Sequence, residues 1–411
     1  MAKGSGAHAT RSPDDSPAGE AWEFVAPQRI LFGHGLVAEA GAVAAAFGRE
    51  AWLVLGRRSA AAGGHADAVE AAVRAAGLPT RIVARSAGEP AIDQVAAALA
   101  GLPAEGRERA VVVALGGGST IDLAKAVAAL ATNASGPDAE AAVVDHLEGV
   151  GRGLPIARPP LPLVAIPTTA GTGAEATRNA VISCPRRRIK KSMRSPLMVP
   201  RAAIVDPALT VSCDRATTAA SGLDCITQLI ESFICRVRRP LTRALVLEAL
   251  PRAVAALPRV LADPADLEAR AAMSHAALVS GIALTNSGLG LAHGVAAALG
   301  VECGTPHGTA CALMLPIALR VNHAVAAADL AALERAVDPA ASAVPDVAAG
   351  AFIRRIEALC EVAGTPRRLR DAGLAAERVG WLVANSGGAS MRGNPVQLEE
   401  SALRAVLEAA W

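Results

Sequence analysis

Residues 110–115, AVVVAL, carry no polar side chain and lead straight into GGGST at 116–120. A strand that is apolar at every position, rather than at alternate ones, has to be covered on both faces. That is the condition of an inner strand in a parallel sheet. Three further short apolar runs, at 51–55, 162–166 and 202–205, share the texture, and helical patterns lie between them, for example at 94–102 and 122–132. Strands alternating with helices predict a parallel sheet joined by right-handed crossovers. After Pro207 the pattern becomes long, Ala/Leu-rich and helical in period, at 217–235, 241–256, 265–284, 287–299, 308–337 and 346–362. The chain of 411 residues is thereby expected to divide near Asp206-Pro207, into an α/β domain over 22–207 and an all-helical domain over 208–411. The first residues, 1–21, are mostly small, polar and rich in Pro, Gly and Ser, and read as a disordered tail with no signal-peptide core.

Composition narrows the partners. Hydrophobic residues make up 52% and charged residues 19%, enough to bury a large core. Forty basic against 38 acidic residues leave a net charge of +2, so no global field draws nucleic acid. With five Phe, four Trp and no Tyr there is no stacking platform for single strands either. Seven cysteines form no C-x-x-C pair and their number is odd. That pattern argues against a disulfide framework or a cysteine zinc knot and for a reducing, cytoplasmic setting. No window holds about 18–20 uninterrupted apolar residues, so no membrane span is expected.

Two loops bear on ligand chemistry. The first, Gly116-Gly117-Gly118-Ser119, follows the apolar run and opens a helix. Glycine lets a backbone approach a ligand closely, and the amides and dipole of a helix start favour phosphate. The spacing is neither that of the G-x-G-x-x-G fingerprint nor that of a Walker A loop. The plainer reading is a glycine turn with Ser119 as N-cap. The second loop, IPTTAGTGAEAT at 166–177, also leaves a predicted strand, and the hydroxyls of Thr168, Thr169 and Thr172 suit a ribose or pyrophosphate. Ligands of such sheets bind at the carboxyl ends of the strands, where both loops fall.

The helical half carries a different chemistry. Asp224 and Gln228 stand four apart and share one helix face. His293 and His307 follow, fourteen positions apart. One carboxylate and two imidazoles can hold a divalent cation with a position left open for substrate, and Gln228 can add a neutral amide oxygen. From the residues alone, most of the eight histidines are expected to be hydrogen-bonded core or surface residues, and nothing in their spacing singles out this pair.

Taken together, GGGSTIDLAK at 116–125, IPTTAGTGAEAT at 166–177, VDP at 205–207, GLDCITQLIE at 222–231 and GLGLAHG…PHG at 290–308 resemble the iron-containing (group III) alcohol dehydrogenase family. That family is related to glycerol dehydrogenase, maleylacetate reductase and dehydroquinate synthase. The resemblance runs from about Phe24 to at least Pro316 and becomes weak in the last hundred residues. It implies a dehydroquinate synthase-like fold, an α/β dinucleotide-binding domain followed by an all-helical metal and substrate domain, with the site in the cleft between them. It implies a nicotinamide dinucleotide, NAD(P)H, on Gly116, Gly117, Gly118, Ser119, Asp122, Thr168, Thr169, Thr172 and Lys190. It places a divalent metal, Fe2+ before Zn2+, on Asp224, Gln228, His293 and His307, with Asp224, His293 and His307 also the catalytic residues. The implied activity is hydride transfer between the nicotinamide and a small aldehyde or primary alcohol, in a homodimer.

Three departures qualify the resemblance. Gln228 stands where the family usually carries His. Ala297 stands where many members carry a second His proposed to relay a proton. Gly56-Arg57-Arg58 replaces the acidic residue that NAD-preferring members often place after the second strand, which leaves both NADH and NADPH open. The first two keep a metal-independent reductase of the maleylacetate reductase type as an alternative. The fold also hosts non-redox lyases or cyclases, and a cofactor-binding protein without turnover is a further possibility. Six cations in 186–194 read as a solvated hairpin or loop, or, more sharply, as Lys190 on the cofactor with Arg194 on an anionic substrate group.

Overall fold

The computed structural model describes residues 21–57, 64–86, 88–103, 105–136 and 138–411. The tail expected over 1–21, Ala21 apart, and Arg58 lie outside the described residues. Six strands, β1 (Arg29–Phe32), β2 (Glu50–Gly56), β3 (Thr80–Ser86), β4 (Ala110–Gly116), β5 (Leu163–Pro167) and β8 (Ala202–Val205), form one sheet in the order β1-β8-β5-β4-β2-β3. Every pairing in it is parallel. All residues of β4, β5 and β8 are buried. Neighbouring residues of one strand pack into different cores: Val112 and Ala114 join one apolar cluster, Val113 and Leu115 another. Both faces are covered, as the unbroken apolar runs require.

The register matters more than the order. Leu115 of β4 pairs with Ile166 of β5, and Gly116 with Pro167. The glycine loop and the Thr-rich loop therefore leave the sheet side by side from adjacent carboxyl ends. The helix Gly118–Asn133 begins four residues earlier than its pattern suggests, and its N-cap is Gly117. Ser119 is thus not the cap but sits in the first turn.

Two pieces, β1 and β3, were not apparent from the pattern. β1 and β3 are edge strands, and β3 is broken by exposed Arg81 and Arg85, so no apolar run of strand length marks it. The basic stretch folds into an antiparallel hairpin of β6 (Asn179–Cys184) and β7 (Ile189–Arg194), with Arg188 at its turn in the left-handed region at φ 50°.

Beyond β8 the chain is helical: Arg215–Ile234, Pro240–Ala262, Leu267–Asn286, Leu291–Cys303, His307–Val337, Pro345–Ala363 and shorter helices to Ala409. Asp214 and Asp266 cap two of them, accepting from Thr217 N at 2.7 Å and Ala269 N at 2.9 Å. The helix Pro240–Ala262 runs through Pro251 and Pro258, past the expected end at 256. The helix Arg215–Ile234 is buried at every position from Gly222 onward and forms the axis of the bundle. Among the described residues one helix, His307–Val337, is long and apolar enough to cross a membrane. Its apolar window is 61% buried inside the bundle, as for a core helix.

The joint between sheet and bundle is made by glycine. A Cβ at Gly281, on the helix Leu267–Asn286, would lie 2.1 Å from Gly173 O, and one at Gly173 would lie 2.3 Å from Ala277 O. Gly171 O accepts from Gln228 Nε2 and Ser280 Oγ, and Thr285 Oγ donates to Ala176 O at 3.0 Å. The Thr-rich loop is thereby clamped to the helices. Its glycines Gly171 and Gly173 allow that approach.

Candidate active site

A cavity of about 230 Å³ opens between the carboxyl ends of β4 and β5, the hairpin and the bundle. From the sheet side it is lined by Gly118, Ser119, Asp122 and Thr172, and from the hairpin by Lys190, Ser192 and Arg194. From the bundle come Asp224, Gln228, His293 and His307, with Leu284, Leu289 and Ala297 completing the wall. Gly116, Gly117, Thr168 and Thr169 lie behind this lining. Gly116 O accepts from Thr168 N at 3.0 Å, and a Cβ at Gly117 would meet the Thr169 side chain at 3.2 Å.

At the sheet end the helix start bears no side-chain cap, because its N-cap is glycine. No side chain therefore caps its first amides, and the helix dipole favours an anion there. A Cβ at Gly118 would lie 2.4 Å from Thr172 Oγ, so only glycine lets the two loops close. Asp122 accepts from Val181 N at 3.0 Å and lies 3.7 Å from Lys125 Nζ. It ties the helix to the hairpin, and burial raises its carboxyl pKa despite Lys125. Beneath the loop Lys125 is fully buried, donating to Thr177 Oγ at 2.5 Å and Asn179 O at 3.0 Å. Burial pushes its ammonium down to about 8 and the neighbouring Glu175 carboxyl up to about 7. Lys190 pairs with Glu89, and Arg194 with Glu148 at 3.3 Å.

At the bundle end three helices converge. Asp224 Oδ1 and His293 Nε2 stand 3.3 Å apart, and His307 Nε2 lies 3.9 Å from the same carboxylate oxygen. Asp224 Oδ1 and His293 Nε2 are buried and have no hydrogen-bond partner. Two such atoms 3.3 Å apart without a hydrogen bond are costly unless positive charge, a proton on the ring or a metal ion, is shared between them. Burial disfavours charge on His293, but Cys311, Asp224 and Glu231 outweigh it and hold the imidazole well above its usual range. The Asp224 carboxyl is held low by His293 and His307 in spite of its burial. The pocket therefore favours positive charge at its centre. Burial and Lys190 push His307 down to about 4, which leaves its ring neutral with a lone pair to give. The donor atoms of Asp224, His293, His307 and Cys311 all lie within 4.8 Å of one another. This donor set fits a divalent cation.

Gln228 is placed differently. Its Nε2 meets Gly171 O and Ser280 Oγ at 3.3 Å each. A carbonyl can only accept, so the amide nitrogen is committed there and the oxygen alone is left for the cavity.

Two residues had been given no role. Glu231, seven residues after Asp224 on the same helix, takes His293 Nδ1 at 2.7 Å and Ala292 N at 2.7 Å. Accepting from Nδ1, it turns Nε2 toward Asp224. The i, i+7 spacing was a usable signal. Cys311, four residues after His307, brings Sγ to 3.7 Å from His307 Nε2, and the same helix-face arithmetic could have found it. Arg57, the residue after β2, is exposed and does not line this cavity.

Comparison with known proteins agrees with this fold. The family model described as iron-containing alcohol dehydrogenase matches residues 27–207, and the one described as the C-terminal part of the Fe-containing alcohol dehydrogenase family matches 218–411. The match thus continues well beyond Pro316, where the recognisable motifs end. The chain is 32% identical over 373 residues to the probable alcohol dehydrogenase EutG of Escherichia coli (strain K12), covering 90% of each. Among solved structures it is similar to a 1,3-propanediol oxidoreductase, at a TM-score of 0.87 and 27% identity over 95% of this chain and 100% of that one. It is also similar to a sulfoacetaldehyde reductase from Bifidobacterium kashiwanohense in complex with NAD+, at 0.81 and 27% over 95% and 99%.

Proposed function

Because this chain belongs to the iron-containing alcohol dehydrogenase family, we propose that it is an NAD(P)-dependent, metal-dependent aldehyde reductase and alcohol dehydrogenase. One observation carries the reading. The unpartnered Asp224 Oδ1 and His293 Nε2 look into the same cavity as the uncapped helix start at Gly118. The Bifidobacterium neighbour in complex with NAD+ supports the choice of dinucleotide. When bound, the nicotinamide supplies the hydride and the metal supplies a Lewis acid for the carbonyl oxygen.

The chain's own residues do the rest. Gly118 and Ser119 offer amides to the pyrophosphate, Lys190 adds positive charge, and Thr172 stands at the edge of the cradle. Asp224, His293 and His307 hold the cation, with Glu231 fixing the His293 tautomer. Leu284 and Leu289 make part of the wall apolar, which limits water beside the reacting carbon. The overall reaction joins aldehyde, NAD(P)H and one proton to give alcohol and NAD(P)+. Ala297 cannot relay that proton, so it comes from solvent or from a ribose hydroxyl of the cofactor. The same reading makes the enzyme a cytoplasmic homodimer, without nucleic-acid or membrane partners, that divides functionally into 22–207 for the dinucleotide and 208–411 for metal and substrate.

A panel of small aldehydes, assayed with NADH and with NADPH before and after exhaustive chelation, tests the proposal. Consumption of reduced dinucleotide that vanishes on chelation and returns with Fe2+ or Zn2+ is expected. Turnover that survives chelation would assign metal-independent reduction instead.

A further inference from the structure

We propose that Cys311 binds the metal as a thiolate and restores the fourth protein donor that Gln228 does not provide as an imidazole. The proposal rests on the metal reading above and adds a ligand to it. Cys311 is fully buried and one helical turn after His307, so both side chains leave the same face of the helix His307–Val337. Donor atoms around a tetrahedral ion bound at ordinary metal–nitrogen, –oxygen and –sulfur lengths stand about 3.3–3.6 Å apart. The observed 3.3 Å between His293 Nε2 and Asp224 Oδ1 and 3.7 Å between Cys311 Sγ and His307 Nε2 are close to those edges.

The cysteine does not stand alone in suggesting a ligand. Asp224 and His293, 2% and 7% exposed, each aim an unpartnered polar atom into the same point. Position matters as well. Asp224, Gln228, His293 and His307 line the cavity, whereas Cys311 is not among its walls. Its sulfur would add a donor from the core side, and substrate would enter from the cavity side as a fifth ligand. Of the seven cysteines, only this one belongs to the converging group among the described residues. Binding exchanges the S–H proton for the metal–sulfur bond, and the proton leaves to solvent, so one extra proton is released per ion. A soft donor also shifts the site's preference from Fe2+ toward Zn2+ and Co2+.

The test is optical and independent of turnover. Full-length protein stripped of metal is titrated with Co2+, and the near-ultraviolet thiolate-to-cobalt charge-transfer band is recorded with the visible ligand-field bands. Wild type is expected to show both. Cys311→Ser and Cys311→Ala should keep weaker ligand-field bands, lose the charge-transfer band and bind Co2+ at least about 10-fold less tightly. Ligand-field bands in wild type without the charge-transfer band would overturn the cysteine and leave the metal site standing. No Co2+ spectrum at all would overturn the metal reading with it. Because the wild-type spectrum decides by itself, the result does not depend on either variant folding.

Discussion

Glu231 shows how much of a site can rest on a residue that touches no ligand. Its carboxylate gathers two backbone amides and the His293 ring within one turn of helix. Replacing it by Gln leaves the shape but removes the charged acceptor for Nδ1. Glu231→Gln is expected to weaken metal binding by about 10–100-fold, measured by competition with a chromophoric chelator, and an unchanged Kd would refute the orienting role. A second buried acid has a thermodynamic signature. Glu175 titrates near 7 in the folded protein against a usual value of 4.5, because burial disfavours its charge. A raised pKa means the folded state binds more protons than the unfolded one between those values. Stability from this group is therefore full below about 4.5 and is lost as pH rises through about 7. Urea unfolding of wild type at pH 5 through 8 should show that decline, and Glu175→Gln, which cannot ionise, should flatten it; parallel curves would contradict the assignment.

Elements set where these residues meet, and one joint is exposed to a single-residue test. An alanine in place of glycine inside an exposed helix stabilises by up to about 1 kcal/mol. At Gly281 the added Cβ would meet Gly173 O at 2.1 Å, backbone against backbone, with nothing flexible to yield. Gly281→Ala is expected to destabilise by about 1–3 kcal/mol and to weaken dinucleotide binding as the Thr-rich loop shifts. A raised urea midpoint would contradict the clamp. Sequence pattern revealed β4, β5 and β8 because burial on both faces leaves them no polar position, and the core helices because of their length and helical period. β3 stayed hidden, since a half-exposed strand carrying Arg has no such texture, whereas the density of cations in 186–194 did mark the hairpin as solvated. The helix at Gly118 was placed late because glycine and serine lower helix propensity and read as loop. In the site, motif resemblance pointed to Asp224, His293 and His307. Glu231 acquires its partner 62 residues away, a contact that only folding creates.

At the scale of the molecule, register and packing do one thing together. Pairing Gly116 with Pro167 brings two loops side by side, and the glycine joint presses the second loop onto the bundle. An anion cradle is thereby held across a cavity of about 230 Å³ from a cation-seeking cluster. On the proposed reading neither half holds both groups, and the chemistry belongs to their apposition. The most direct measurement is aldehyde-dependent oxidation of NAD(P)H by the Asp224→Ala, His293→Ala double variant, beside dinucleotide binding and circular dichroism of the same preparation. Both substitutions leave the sheet and its loops alone. The account predicts a folded chain that binds dinucleotide as wild type does yet turns over no aldehyde, whereas wild-type turnover in that variant would contradict it.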